Sequence, residues 1–240
     1  MTGNVHNLFE GADPAALEAQ FEAASIVAET MRVLHKSGSN TVAEILRTGD
    51  EFIEWQHMPR GDVFDRENAS QYYYHAHSKK PDRPSIHDDE HGHFHCFLRG
   101  PAIDRQPAPG QEVPEKPGDI AAHIIGIGMD AKGVPIRLFT TNRWVTGELW
   151  YPAEDMIAML DRFDVDLSTP SWPLNLWLTN IVRLYRPEIV RLLRQRDEAV
   201  ARWAEEHEGD VFEDRGLEVT SALDIDLAAR VEALEEAYQG

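Results

Sequence analysis

The chain has 240 residues and a formal net charge of −19, with 42 aspartates and glutamates against 23 lysines and arginines. A surface this acidic repels phosphate backbones and anionic lipid headgroups, which argues against nucleic acid or a membrane surface as a partner. No run of 18 apolar residues predicts a transmembrane helix, no secretory signal is visible, and the single cysteine, Cys96, permits no intramolecular disulfide. We therefore expect a cytoplasmic protein in which any metal is held by imidazole and oxygen ligands.

The N-terminal segment carries the signals of two helices. Asp13 and Pro14 are a typical N-cap and first helical residue, and apolar residues recur at helical spacing as far as Lys36. A second, short helix is predicted to end at Arg47. Residues 1–50 are therefore expected to be mainly helical.

The middle of the chain changes character, because its apolar residues alternate or cluster in short runs between glycines and prolines. We predict strands at 71–77, 91–99, 121–129 and 134–141, of which the last two form a hairpin. Between them, residues 100–119 contain five prolines and three glycines without periodicity, which predicts a loop.

Helical signals return in the C-terminal part. We predict helices at 152–163, at 174–207 with a kink at Pro187, and at 226–238, with a short extended piece near 217–222. The order of helices, strands and helices predicts an α+β fold with an antiparallel sheet of four or more strands, with barrel-like closure as one form of the sheet. We expect one domain over residues 1–240, in which residues 51–150 carry the sheet and residues 151–240 are mainly helical.

Histidines are concentrated in the predicted sheet, where six of the eleven lie between His75 and His95. Alternate side chains of a strand point to the same face, so each of two strands has one histidine face and one apolar face. Tyr73, His75 and His77 share a face of the first strand, and His91, His93 and His95 share a face of the second. Cys96 falls on the apolar face and is expected to be a buried thiol.

Pairing of these two strands as a hairpin would place His75 opposite His93, Tyr73 opposite His95 and His77 opposite His91. Cross-strand neighbours lie about 5 Å apart at Cβ, which is close enough for imidazoles to converge on one ion. His123, near the start of the strand predicted at 121–129, is expected to share a face with Ile125, and is either a core histidine or a further ligand at the rim of the cluster. The candidate metal ligands form a set of six histidines: His75, His77, His91, His93, His95 and His123.

The loop before the second strand adds the sequence "HDDE", from His87 to Glu90. A carboxylate beside imidazoles could complete a metal-ligand set, or it could hydrogen-bond the ligand histidines from outside. The plain alternative is that Asp88, Asp89 and Glu90 form a turn with solvated charges.

A second polar stretch, "RLFTTNRWVTGELW", contributes candidates for substrate binding and catalysis. Arg137 and Arg143 could bind an anionic group, Trp144 could stack on a ring, and Glu148 could act as a base. Tyr73 is the second candidate catalytic residue. The alternative for this stretch is a polar turn anchored by a tryptophan.

These residues predict a metal-dependent enzyme, and we favour an oxidoreductase with non-haem iron or copper over one with manganese or zinc. Imidazole ligands suit all four metals, and the tyrosines and tryptophans that flank the histidines favour redox chemistry. The expected substrate is a small, anionic molecule. The arginines of the long helix are expected to pair with acidic residues of the same chain or to form a homodimer contact. The open alternatives are a non-catalytic storage, delivery or sensing protein, a zinc-dependent hydrolase, a metal-free histidine cluster and a solvated histidine tract.

Overall fold

The computed structural model describes residues 13–49, 53–76 and 86–239. Six strands form one antiparallel sheet in which each strand pairs with the next along the chain. The strands are β1 (Met58–Asp65), β2 (Ser70–His75), β3 (Gly92–Arg99), β4 (Ala121–Met129), β5 (Pro135–Thr141) and β6 (Val219–Asp224). In the part of the chain described, β1 and β6 are the edges of an open sheet. The α+β prediction is confirmed, and the suggestion of barrel-like closure was wrong.

Among the residues described, two helices precede the sheet in the chain, four lie between β5 and β6, and one follows β6. They are α1 (Pro14–Lys36), α2 (Thr41–Leu46), α3 (Arg143–Thr146), α4 (Ala153–Met159), α5 (Trp172–Leu184), α6 (Arg186–Glu206) and α7 (Leu227–Gln239). As predicted, α1 begins at Pro14, where the Asp13 carboxylate accepts a hydrogen bond from the Ala15 N–H at 3.3 Å. α1 packs against both α5 and α7, which brings the N-terminal and C-terminal helices together. None of the helices described combines the length and the apolar character needed to cross a membrane.

The long helix predicted at 174–207 is two helices rather than one with a kink. α5 ends at Leu184, and Tyr185, with φ −99° and ψ 19°, separates it from α6. Pro187 lies in the first turn of α6, where its missing N–H leaves no hydrogen bond unmade. The proline therefore starts a new helix instead of bending an existing one.

The edge strand β1 has no counterpart among the predicted strands. Its sequence contains Pro59 and Gly61, and Asp62 has a φ of 61°, a left-handed conformation that is uncommon for a residue other than glycine. The pairing with β2 shifts register between Met58 and Val63. A strand interrupted in this way lacks the regular alternation from which strands are recognised.

The hairpin of β2 and β3 has the predicted register. Tyr73 pairs with His95, and His75 pairs with His93. The opposite face belongs to the core and packs on α5, where Phe94 lies 6.1 Å from Trp177 between ring centroids. Cys96 is fully buried in this core, as expected.

Candidate metal centre

Three histidines converge on the face of the sheet away from α5. His75 on β2 and His93 and His95 on β3 each offer a ring nitrogen, and these nitrogens lie within 4.8 Å of one another. His93 and His95 are 3% and 1% exposed, and His75 is half-buried. We call these three residues the histidine triad. The triad could hold a metal ion, because three imidazole nitrogens at this separation are a common ligand set.

The distance between two of the triad nitrogens is close to the distance between two nitrogens bound to the same metal ion. His75 Nε2 and His93 Nε2 are 2.7 Å apart. Two nitrogens bound at 2.0–2.1 Å to one tetrahedral ion lie about 3.3 Å apart, so these rings would need to separate by about half an ångström.

Glu90 fixes the orientation of two imidazoles. Its Oε2 lies 3.0 Å from His93 Nδ1 and 2.9 Å from His87 Nδ1. A carboxylate accepts, so both Nδ1 atoms carry protons, and the lone pair of a neutral His93 is then on Nε2, which faces His75. Burial would raise the pKa of Glu90, but the hydrogen bonds from His87 and His93 outweigh it and lower this pKa to about 2. His87, Glu90 and His93 also form a second group with ligand atoms within 4.8 Å.

Arg137 holds Glu90 in place. Its guanidinium lies 3.2 Å from Glu90 Oε1 and 2.8 Å from both Asp89 and Asp224. On the neighbouring strand, a Cβ at Gly128 would overlap Glu90 Oε1, so the glycine leaves the space that the carboxylate occupies. The structure thus places Arg137, a predicted substrate-binding residue, in a salt-bridge network behind the site.

His123 lies behind the triad and contacts His95. His123 Nε2 is 2.9 Å from His95 Nδ1, and the His123 ring also hydrogen-bonds the Ile125 backbone. If the ring donates from Nδ1 to that carbonyl, its Nε2 accepts from His95, which leaves the lone pair of His95 on Nε2. His123 therefore orients a triad residue and is absent from both candidate ligand groups found in the described chain.

A bulge in β4 turns His123 toward the triad. Strict alternation would put it on the face of Ile125 and Ile127, but the pairing with β3 shifts register between Cys96 and Phe97. As a result Phe97 pairs with His123, whereas Cys96 pairs with Ile125. The expectation that His123 shares the face of Ile125 was wrong for this reason.

The buried imidazoles are kept neutral. Burial, followed by the neighbouring histidines, lowers the pKa of His95 well below its ordinary value of 6.5. Burial and the nearby Arg196 lower the pKa of His123 to about 3. Neutral imidazole is the form that binds a metal, so His95 needs to lose no proton at neutral pH.

A cavity of about 450 Å³ opens over the triad. Its lining comes from β2, β3, β5, α3 and the segments that precede β1, β3 and β6. Beside the triad it includes Trp55, His57, Tyr73, His87, Phe139, Trp144, Arg215 and Glu218. This volume lies within the range of small-molecule pockets. A ligand in the cavity would therefore contact the triad directly.

Tyr73 and His57 form one wall of this cavity. Tyr73 is 5% exposed, its ring centroid lies 5.1 Å from that of His95, and burial raises its pKa. The His57 ring stacks on Tyr73 with centroids 3.5 Å apart and an interplanar angle of 8°. His57 Nδ1 lies 2.9 Å from Asp62 Oδ1. Tyr73 thus lies beside the triad as predicted.

The remaining predicted residues lie at different places, and only some of them are near the triad. Trp144 lines the cavity and donates from Nε1 to the Leu217 carbonyl at 2.8 Å. Arg143 pairs with Glu213 and lies outside the cavity lining. His91 Nδ1 lies 2.7 Å from the hydroxyl of Tyr74, a core residue, so the structure does not bring His91 into the triad. His77 lies outside the described residues.

Glu148 is buried behind the sheet face and is not part of the cavity lining. It is 3% exposed, and the Thr146 hydroxyl donates to its carboxylate. Burial raises its pKa to about 8, although Thr146, Arg196 and Arg143 oppose the increase. Its charge also contributes to the raised pKa of Tyr73, so the two predicted catalytic residues interact electrostatically.

A family model described as "Domain of unknown function (DUF6969)" matches residues 21–225. The chain belongs to DUF6969. No curated protein and no solved structure is significantly similar to it. The DUF6969 match covers all six strands, the triad and the cavity lining, and the family's description assigns no activity to them.

Sequence reasoning missed several cavity residues that lie within the DUF6969 match. His57 lies on the irregular entry to β1, and Arg215 and Glu218 lie on the segment before β6. They come from opposite edges of the sheet, and neither segment has a motif that connects it to the histidines. For the loop residue His87, the sequence did offer an indication, because His87 lies three residues before Glu90 within the "HDDE" sequence.

Proposed function

We propose that this DUF6969 protein is a metal-dependent oxidoreductase that binds one divalent transition-metal ion at His75, His93 and His95. The observation that carries the proposal is that three imidazoles, two of them almost fully buried, open on a cavity large enough for a small molecule. A three-histidine set leaves coordination positions for a substrate or for dioxygen. The substrate is a small molecule that enters the cavity and contacts the metal.

Iron or copper is favoured by the surroundings of the triad. Imidazole ligands without thiolate suit iron, copper, manganese and zinc. The aromatic rings of Tyr73 and Phe139 lie 5.1 Å and 5.7 Å from the His95 ring, so the ion would be enclosed by a largely aromatic shell that limits access of water. Such a shell suits oxidative chemistry on an organic substrate.

A zinc-dependent hydrolase is the second candidate, and Glu218 is the observation that favours it. This carboxylate lines the same cavity as the triad and could act as a general base for a zinc-bound water. A non-catalytic storage or delivery protein would need no cavity beside its ion. For this reason we rank it third.

The test is metal analysis of the purified protein after chelation and reconstitution with Fe(II), Cu(II), Mn(II) or Zn(II), each added separately. We expect one equivalent of tightly bound metal. We expect His75→Ala and His95→Gln to lose it, whereas His35→Ala, a control on the exposed end of α1, should retain it. An oxidase or oxygenase activity confined to the iron or copper form would separate the first candidate from the zinc hydrolase.

Binding of less than about a tenth of an equivalent in every reconstitution would contradict the proposal. Several weakly bound equivalents, unchanged by His95→Gln, would indicate a solvated histidine tract instead.

A further inference from the structure

The cavity over the triad has a cationic group at its rim. Arg215 is exposed, lines the cavity and lies over the Trp144 ring, with its guanidinium carbon 4.5 Å from the ring centroid. Among the described residues, no carboxylate lies within salt-bridge distance of Arg215. By contrast, Arg137 pairs with Asp89, Glu90 and Asp224, and Arg143 pairs with Glu213. Arg215 is therefore the cavity arginine whose charge is available to an incoming anion.

A second unusual feature lies at the same cavity. Trp55 is 57% exposed, and its backbone has a φ of 68°, a left-handed conformation that large side chains rarely adopt. The backbone N–H of Trp55 donates to the Ala76 carbonyl at 2.9 Å, which ties this residue to the end of β2. A strained backbone that presents an exposed indole to a cavity indicates a binding surface.

The rest of the lining defines the shape and charge of a ligand. Trp144, Tyr73 and Phe139 are aromatic, so most of the apolar lining consists of flat rings that prefer a planar partner. Glu218 lines the cavity as well and disfavours a second negative charge on the ligand. The complement of this lining is a planar ring with a single anionic group.

We infer that the cavity binds a small aromatic carboxylate, with its ring against Trp55 and Trp144 and its carboxylate on the Arg215 guanidinium. A guanidinium binds a carboxylate through two parallel hydrogen bonds, which fixes the direction of the ring. The inference deepens the proposed function, on which it rests, because it names the substrate class of the same site. The binding itself is measurable without a metal.

The test uses the full chain in two forms, one treated with chelator and one loaded with Zn(II), titrated with benzoate in a calorimeter. Cyclohexanecarboxylate has the same charge without a planar ring, and benzyl alcohol has the ring without the charge. We expect benzoate to bind both forms of the protein and to bind at least about tenfold more tightly than either analogue.

Two variants with matched controls locate the ligand. Arg215→Gln should weaken benzoate binding about tenfold, whereas Arg202→Gln, an exposed arginine on α6 outside the cavity, should not change it. Trp55→Ala should weaken binding about threefold to tenfold. Trp172, also 57% exposed but away from the cavity, provides the Trp172→Ala control.

The outcomes separate this inference from the proposed function. Benzoate binding that requires Zn(II) and is unchanged by Arg215→Gln would mean that the carboxylate ligates the metal, and it would overturn the inference while leaving the metal site intact. Equal binding of cyclohexanecarboxylate would overturn the aromatic part, and no binding up to about 10 mM benzoate would overturn all of it. Arg215-dependent binding by a protein that takes up no metal would support the inference and contradict the proposed function.

Discussion

The two faces of the β2–β3 hairpin use the same backbone for opposite purposes. On one face Tyr72, Tyr74 and Phe94 are completely buried and pack on the helices. On the other face His75, His93 and Tyr73 surround a cavity of about 450 Å³. The first face removes apolar surface from water, which stabilises the fold. The second face buries polar groups. Their burial costs free energy of folding unless each group forms a hydrogen bond.

The histidine face shows how such partners are supplied. His93 contacts Glu90, Glu90 contacts Arg137, and His95 contacts His123. The contacts of His93 and His95 each use Nδ1, so that a second ring nitrogen of each residue is left for the site. Buried polar networks of this kind are retained where a function needs them, because an apolar replacement of the same size would often be at least as stable. The apolar core and the candidate metal site thus lie on opposite faces of the same strands.

We expect the largest change in stability when one aromatic residue is truncated on each face of the sheet, Phe94 on β3 and Phe139 on β5. Phe94→Ala should lower the free energy of unfolding by about 3–5 kcal/mol, because Phe94 is fully buried in the core, yet leave the metal affinity of the folded protein unchanged. Phe139 is 1% exposed and lies 5.1 Å from the His93 ring, so Phe139→Ala should reduce both stability and metal affinity. Urea unfolding and metal titration measure the two quantities. Equal losses of metal affinity in both variants would show that the faces are not independent.

Glu90→Gln, on the histidine face, should have a smaller effect, which is a loss of metal affinity. The amide keeps the size of the side chain but loses the charge that accepts from His87 and His93, so metal affinity should fall about 10-fold to 100-fold. Asp89→Asn is the control, because this neighbouring side chain is 64% exposed, whereas that of Glu90 is 1% exposed. Titration with a competing chelator measures the affinities. A similar loss in both variants would mean that net charge, and not the orientation of the imidazoles, determines affinity.

Most of what could be predicted for this site rests on the alternation of side chains between the two faces of a strand. The period of two in "YYYHAH" and "HGHFHCFLR" placed His75, His93 and His95 on one face, and the register followed from pairing these strands as a hairpin. The same rule failed at His123, because one extra residue in β4 reverses the alternation and the sequence does not mark the bulge. It failed at His91 as well, which lies before the first residue of β3 and contacts Tyr74 instead.

The groups that complete the cavity depend on tertiary structure and could not be predicted. Trp55 and Arg215 are 160 positions apart and meet at the cavity only because the sheet brings segments near β1 and β6 over the same face. Arg137 was predicted to bind substrate because it is an arginine in a polar stretch. Its actual partners, Asp89 and Asp224, lie on a loop and on an edge strand that only the fold brings near it.

Two buried carboxylates near the triad have opposite properties, and the donors around them explain why. Glu90 accepts from two imidazoles and lies beside Arg137, and its pKa falls to about 2. Glu148 accepts from the Thr146 hydroxyl and lies farther from arginines, and burial raises its pKa to about 8. Hydrogen bonds from cationic or readily protonated groups favour the carboxylate form, whereas desolvation disfavours it. Glu148 is therefore expected to be mostly protonated in the folded protein at neutral pH.

The smallest change that we expect is the effect of Glu148→Gln on the free energy of unfolding. Its folded pKa of about 8 is above its ordinary value of 4.5, so the unfolded chain binds fewer protons than the folded chain between these values. Its contribution to stability is full below pH 4.5 and declines as the pH rises toward 8. Glu148→Gln should thus stabilise the metal-free protein by about 1–2 kcal/mol at pH 8 and have little effect near pH 4.5, as measured by urea unfolding across that range.

Glu205→Gln removes an equal charge from an exposed position on α6 and should show no such trend. A stability difference for Glu148→Gln that stays constant with pH would mean that this carboxyl group has an ordinary pKa, and that the contrast with Glu90 does not depend on the surrounding donors.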